Sequence, residues 1–411
     1  MNVKILTQLK GIVTPRTDLS FSHLDIRENV SLAIEGDQIA AISSLDELQQ
    51  KYPHAAEIQG QNCWALPGFV DPHTHPVFYK TREEEFEMRI LGKSYEQIAA
   101  QGGGIRNSVR AFRQASFQEL VELTYQRISQ FIEYGTTTIE AKSGYGLSLD
   151  DEIKSLRILR KIGEILPITI VPTFLGAHEV PDEYQNNRRA YIDVIIKEMI
   201  PAVAEEKLAE FCDIFTEKNV FNIAESEKIL QAAKDYGLKL KLHADELNPL
   251  GGAELAAKMG AISADHLLKV SDRGIAALRD SGVTAVLLPG TAFFLGKDHY
   301  APARKMIQQG VKVALATDYN PGSSFTQNMN LILSIACTQM KLTPAETIWA
   351  ATIRSAEAIH REKETGSLEV GKKADIVLHD VPNYQYIPYH YGMNHVTMVI
   401  RHGEVIHHRQ H

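Results

Sequence analysis

Ala65-Leu66-Pro67-Gly68-Phe69-Val70-Asp71-Pro72-His73-Thr74-His75 is a short apolar run that ends in two histidines two residues apart. In an extended strand the side-chain period is two, so His73 and His75 leave on the same face and can grip one metal ion. Such a pair also arises by chance, and its meaning depends on what stands at the ends of the other strands.

Working outward, strand-like runs alternate with longer helical patterns, the sequence form of repeated βα units around a parallel sheet. The runs cover 66–75, 136–142, 168–178, 211–215, 238–243, 261–266, 283–289 and 311–318. Amphipathic stretches at 118–134, 151–165, 188–208, 223–236 and 272–280 are each long enough for a surface helix. Eight strands with intervening helices predict an α/β fold of the (β/α)8 TIM barrel type. The run at 211–215 and the edges of 283–289 also fit helix.

On either side of the barrel the pattern changes. Segments 3–14, 30–44 and 57–66 read as strands, with Glu35-Gly36-Asp37 as a hairpin turn, and 374–380 and 396–408 read the same way, with a turn at Gly403. Each end is too small to be stable alone, so one β-sandwich built from both termini is the economical solution. Decorations on the barrel are the alternative. The expected division is a composite sandwich of 1–65 plus 366–411 and a barrel of 66–365.

The chain of 411 residues carries 43 Lys and Arg against 51 Asp and Glu, a formal net charge of -8. That balance repels nucleic acid and anionic membrane surfaces, so the expected partner is a small molecule. Cys63, Cys212 and Cys337 are scattered and odd in number, which fits a reducing cytoplasm and no disulfides. Residues 1–14 alternate apolar and polar side chains where a signal peptide would be apolar, and no run reaches membrane-spanning length.

His178, His243, His266 and Asp318 each fall at the C-terminal end of a predicted strand, the rim where barrel active sites are built. Convergence there makes a catalytic metal the leading expectation. On the last strand Ala314 and Ala316 share the parity of Asp318, so small residues would line the barrel beneath it. On the fifth, Lys239 and Lys241 share the parity of His243, so either an interior lysine is paired with an acid or the pleat breaks near the rim. Glu246, three residues past His243, can reach a reacting water as a general acid/base. Asp245 competes for that role, and either acid could simply sit at a helix N-terminus.

These features resemble the amidohydrolase superfamily, which combines His-x-His after the first barrel strand, later strand-end histidines and an aspartate after the eighth. Gly366-Ser367-Leu368-Glu369-Val370-Gly371-Lys372-Lys373-Ala374-Asp375 is similar to the segment by which these proteins return from barrel to sandwich, so the resemblance spans the chain. His243 followed by Glu246 looks like the branch with one metal, which includes cytosine deaminase. Binuclear members bridge two ions with a lysine of the fourth strand, whereas here Lys218 lies past that strand and Lys142 ends the second.

Gln101-Gly102-Gly103-Gly104-Ile105, Lys142-Ser143-Gly144-Tyr145-Gly146, Thr173-Phe174-Leu175-Gly176-Ala177-His178, Leu242-His243-Ala244-Asp245 and Ala316-Thr317-Asp318-Tyr319-Asn320-Pro321-Gly322-Ser323-Ser324 join 66–75 as six ordered motifs of a narrower branch. That branch hydrolyses 4-imidazolone-5-propanoate to N-formimidoyl-L-glutamate in histidine degradation. The resemblance implies one divalent ion, zinc or iron(II), on His73, His75, His243 and Asp318. It implies substrate contacts from Arg82, Tyr145, His178, Glu246, Asn320, Gly322 and Ser323, and a homodimer. Glu246, His266 and Asp318 are the expected catalytic groups. Two departures stand out: Glu246 occupies a position where many relatives carry glutamine, and Phe112 replaces a smaller residue. Rival readings are a deaminase acting on a nucleobase or cyclic amidine, and a metal-free scaffold protein, which would require missing ligands. A histidine-rich strand end and tail, His402, His407, His408 and His411, is read as surface.

Overall fold

The computed structural model describes residues 3–93, 97 and 103–409. Eight parallel strands form one sheet in sequence order: β1 (Phe69–Thr74), β2 (Thr136–Lys142), β3 (Thr169–Ala177), β4 (Phe211–Thr216), β5 (Lys239–Ala244), β6 (Ser263–His266), β7 (Thr284–Leu287) and β8 (Val313–Leu315). The segment after β8 returns to β1. A parallel bridge joins Thr74 to Tyr319, His75 N–H donates to the Tyr319 carbonyl at 2.8 Å, and Asp318 N–H donates to the His73 carbonyl at 3.1 Å. The sheet is therefore a nearly closed barrel, and its closing bonds lie beside the residues singled out as ligands.

The run at 211–215 is a strand despite its helical look, because Phe211, Cys212, Asp213 and Ile214 are buried and paired on both sides by β3 and β5. Inside the barrel, Val70, Val171 and Phe211 pack on Ala356 and Ile359, and Val286, Leu288, Ala314 and Ala316 pack on Ala358. The chain around helix Ile353–Glu357 thus fills the end of the barrel away from the active-site rim. The outer helices are stopped and started by local chemistry. Ser116 with Glu119, Asn222 with Glu225 and Thr343 with Glu346 form capping boxes.

One helical expectation is modified. The stretch 188–208 divides into Arg188–Val194, a π-turn over Ile195–Met199 and Ile200–Glu205, because Pro201 has no N–H to donate and the wider turn accommodates it. Phe112, the oversized residue, is fully buried in helix Ile105–Gln114, with the Lys154 ammonium 4.7 Å from its ring centre.

Both termini build two further sheets. One has four strands ordered Gln38–Ser43, Ser31–Glu35, Val3–Thr7 and Ala56–Gln59; the other has six, ordered Glu404–His408, Val396–Arg401, Ile376–His379, Trp64–Pro67, Gly11–Thr14 and Asp25–Glu28. Leu6, Ile12, Leu32, Ile34, Ala65, Ile376, Leu378 and Ile400 form the core shared by these sheets.

The expected strand over 66–75 is two strands. Trp64–Pro67 pairs with Ile376–His379 in the sandwich, and β1 begins only at Phe69. Gly68 makes the turn possible, since a Cβ there would fall 2.2 Å from Thr137 Oγ1. Leu66 and Pro67, placed in the barrel by sequence, therefore belong to the sandwich sheet.

Candidate active site

β1 ends with His73 and His75 on the predicted common face. Their Nε2 atoms are 3.2 Å apart, and each lies 3.5 Å from Asp318 Oδ1. The His243 ring centre is 4.5 Å from that of His73 and 5.5 Å from that of His75, and candidate ligand atoms of His73, His75 and His243 all fall within 4.8 Å of one another. His73 donates from Nδ1 to Asp265 Oδ2 at 2.6 Å, so its Nε2 is a bare lone pair facing the other donors. His243 Nδ1 is 3.0 Å from Asp213 Oδ2, close enough for an ion pair but without hydrogen-bond geometry. Burial holds His73 and His75 well below the ordinary imidazole pKa. Lone pairs crowded this closely without a proton between them repel unless a cation is shared, so this donor set fits a divalent ion.

Beneath the histidines lies a buried charge network. Lys142 Nζ is 2.7 Å from Glu140 Oε1 and 2.8 Å from Asp213 Oδ2, and Lys241 Nζ is 3.5 Å from Asp265 Oδ2 and donates to Ser263 Oγ at 2.6 Å. All five charged groups are fully buried. Lys241 is thus an interior lysine paired with an acid, which decides the parity question on β5. Lys142 is surrounded by carboxylates, which raise its pKa against the cost of burial.

Backbone conformation brings the remaining rim groups in. Asp265 points toward His73, and a regular pleat would send its neighbour His266 outward. His266 and Leu267 instead have φ of 76° and 62°, and His266 lines the cavity with both ring nitrogens buried and, among the described residues, without hydrogen-bond partners. Asp318 also has a positive φ, 53°. β8 ends at Leu315, so Asp318 reaches the site through this turn instead of by continuing the strand's alternation; Ala314 and Ala316 still line the interior as expected. Thr291 Oγ1 donates to Asp318 Oδ2 at 2.6 Å.

The competition between the two acids after His243 has a structural answer. Asp245 accepts hydrogen bonds from the N–H groups of Leu250, Gly251, Gly252 and Ala253, all at 3.0 Å or less, and is consumed in anchoring helix Gly252–Met259. Glu246 lines the cavity, 3.7 Å from His266 Nδ1. Burial and then Asp318 push its carboxyl up to about 7, and burial pushes Asp318 up to about 6. The loop carrying Glu246 is held by Glu217, which accepts from Leu247 N–H, Asn248 N–H and Asn248 Nδ2.

A cavity of about 490 Å³ joins these groups to Arg82, Tyr145, His178, Asn320, Gly322 and Ser323. Every residue named as a site candidate from sequence lines it except His73, which lies fully buried behind it. His178 donates from Nδ1 to the Gly144 carbonyl at 2.9 Å, stacks on His75 at 5.3 Å, and is pushed by burial down to about 4, so it is neutral. Tyr145 sits in a loop gathered by the fully buried Glu152, which accepts from the N–H groups of Gly144, Gly146 and Leu147.

Arg82 is no solvated helix-face residue: its side chain is 9 % exposed and pairs with Glu85 at 2.5 Å. Glu85 Oε1 in turn accepts from Gly104 N–H at 3.0 Å, which ties the glycine-rich segment to the mouth; Gln101 and Gly102 lie outside the described residues. A Cβ on Gly322 would lie 2.3 Å from Arg82 Nη1, so glycine is required for the guanidinium to rest on this turn. Asn320 shapes the turn, with Oδ1 accepting from Gly322 and Ser323 N–H at 2.8 Å and Nδ2 donating to the Asp318 carbonyl at 2.6 Å.

Sequence reasoning passed over Asp213, Asp265, Thr291 and Arg127, and weighed Lys142 only against the bridging lysine of binuclear members. Arg127 lies with its guanidinium 3.5 Å from the Phe78 ring centre and donates to the carbonyls of Pro76, Phe78 and Tyr79, fixing the chain just after His75. The signal for one of the acids was present: Lys241, at interior parity on β5, demands a buried carboxylate nearby, and Asp265 supplies it.

The model of the Amidohydrolase family matches residues 64–406. The chain is 48% identical over 410 residues to an imidazolonepropionase of Geobacillus sp. strain WCH70, covering 98% of this chain and 96% of that one. It is 51% identical over 380 residues to an imidazolonepropionase of Symbiobacterium thermophilum, covering 92% and 89%. Among solved structures, the E. coli guanine deaminase superposes with a TM-score of 0.76 at 15% identity, covering all of both chains, a likeness of fold alone. Among the described residues no helix is long and apolar enough to cross a membrane.

Proposed function

The chain belongs to the amidohydrolase family, and from that premise we propose that it opens the ring of 4-imidazolone-5-propanoate to give N-formimidoyl-L-glutamate, the hydrolysis denoted by the name of its relatives. The observation that carries the reading is that His75, His243, Asp318, Glu246 and Arg82 line one cavity, with His73 buried directly behind it. The donors and Glu246 suit a carbonyl under attack by water, and Arg82 suits a carboxylate tail.

His73, His75, His243 and Asp318 would hold one divalent ion, zinc or iron(II), whose chemistry is Lewis-acid activation. The reaction adds water to the ring carbonyl carbon; the C–O bond forms, the C–N bond breaks, and the nitrogen leaves with a proton. Glu246 takes a proton from the attacking water and returns it to the departing nitrogen, a task suited to a carboxyl near pKa 7. Asp318 orients the water. His266, neutral and without a partner among the described residues, donates to the oxygen on which charge develops. Arg82 binds the propanoate by charge-assisted hydrogen bonds, with the Gly322-Ser323 turn beside it.

The reading extends to a homodimer in the cytoplasm. All three cysteines are free, in keeping with a reducing compartment. Phe293, Tyr389 and Tyr391 are exposed aromatics at one apolar groove, which supports contact between copies. Light scattering on the purified chain tests the dimer, and a monomer mass at micromolar concentration would reject it.

The activity test generates 4-imidazolone-5-propanoate in situ from urocanate, adds the metal-loaded protein and follows N-formimidoyl-L-glutamate. Its enzyme-dependent appearance is expected. Absence of ring opening, with ammonia released from a nucleobase instead, would favour a deaminase.

A further inference from the structure

Helix Glu83–Ile90 carries a second arginine into the cavity. Arg82 and Arg89 are seven residues apart, about two helical turns, so both meet the same wall. Glu85 lies between them, but its carboxylate is already used: one oxygen holds Arg82 and the other accepts from Gly104 N–H. Among the described residues Arg89 has no ion-pair partner within 4 Å, and its Nε and Nη2 are buried without hydrogen-bond partners. Its guanidinium rests 5.6 Å from the centre of the Phe294 ring. Lys297 lines the same cavity. Burial and then the neighbouring Arg82 work against the charge on Arg89, with Glu85 in smaller part supporting it.

A guanidinium with desolvated, unsatisfied donors beside a second cation is costly unless an anion completes it. Phe294 supplies a π-face but no acceptor, and the other acids lining the cavity, Glu246 and Asp318, belong to the reacting centre. We propose that Arg89 is a specificity-determining residue: a second guanidinium that, with Arg82, grips the carboxylate of the substrate's propanoate tail. The inference rests on the hydrolysis proposed above. Two guanidinium groups explain how a cavity that also contains Glu246 and Asp318 can prefer an anionic substrate: the tail is neutralised by the arginines while the ring is presented to the acids. Arg82, ion-paired with Glu85, fixes position; Arg89, outside any ion pair among the described residues, supplies the further charge.

The test compares the metal-loaded full chain with Arg89→Gln and Arg89→Lys, using 4-imidazolone-5-propanoate and its neutral propanamide analogue. For Arg89→Gln a rise in KM of about tenfold or more, with kcat within about threefold, is expected for the carboxylate substrate. The propanamide should show no such rise, and Arg89→Lys should recover part of the loss. Bound metal and melting temperature are measured alongside, because a merely structural role would lower both rate and stability for either substrate. A KM within twofold of the parent, or equal losses on both substrates, overturns the proposal. Inactivity of the parent protein on 4-imidazolone-5-propanoate would instead reject the underlying function, so the two failures are distinguishable.

Discussion

Asp265 Oδ2 accepts a 2.6 Å hydrogen bond from Nδ1 of His73, and this one contact fixes which nitrogen of His73 is free to bind metal. A carboxylate behind a ligating imidazole sets its tautomer, orients the ring and raises its basicity. Asp265→Asn can also present an N–H toward His73, which disfavours that tautomer. Metal affinity should fall by about 10–100-fold, measured by competition with a chromophoric chelator. Unchanged affinity in a folded variant would show that the His73 tautomer is set elsewhere.

The adjacent acids Asp245 and Glu246 should separate by phenotype. Glu246→Ala is expected to retain metal and unfolding midpoint while kcat falls by about 10²–10⁴-fold. Asp245→Ala removes the acceptor for four backbone N–H groups, and should cost about 1.5–3 kcal/mol in urea unfolding. Exchange of these two outcomes would reverse the assignment of the acids.

Protonation of Glu246 should be visible in the rate. As the proton acceptor it must be ionised at the start, so kcat/KM should decline as pH falls through about 7, where burial and Asp318 place its carboxyl. A Glu246→Ala pH profile should lack that limb. Persistence of the same limb in the variant would assign it to another group, with Asp318 the nearest in pKa.

Gly322→Ala tests the seat of Arg82. The added methyl would meet Arg82 Nη1 at 2.3 Å, displacing the guanidinium from the turn. KM should rise by about tenfold while bound metal is retained. A normal KM would show that Arg82 does not need this close approach.

What the chain's pattern made legible follows side-chain periodicity. His73 and His75 on one face, four polar residues at strand ends, and alternating strands and helices are all consequences of regular backbone, and the barrel and most cavity residues follow from them. Irregular backbone hid the rest. The left-handed turns by which His266 and Asp318 reach the rim have no periodic signature, although both residues were legible at strand ends, and Gly68 divides one apolar run between two sheets. Asp213 and Asp265 have no spacing signature, because their partners Lys142 and Lys241 come from other strands. The physical demand of a buried lysine for a carboxylate pointed only toward Asp265, the partner of Lys241.

His379 should contribute to acid sensitivity. It is fully buried, neither ring nitrogen has a hydrogen-bond partner among the described residues, and burial followed by repulsion from His395 lowers its pKa to about 3. The unfolded chain takes up this proton near pH 6.5 and the folded chain does not. The associated stability is present above pH 6.5 and is lost as pH falls from there toward 3. His379→Phe should therefore lose less stability between pH 7.5 and pH 5 than the parent, measured as urea midpoints at both values. Equal losses would mean that the ring finds a partner on protonation.

The central claim is that water attacks the ring carbonyl carbon of 4-imidazolone-5-propanoate, and the position of an isotope label tests it most directly. Hydrolysis in H₂¹⁸O followed by mass spectrometry of the product should place one ¹⁸O in the newly formed α-carboxylate of N-formimidoyl-L-glutamate. A label found instead in a formyl group, with the α-carbon bearing a carboxamide, would mean attack at the amidine carbon and would contradict the account.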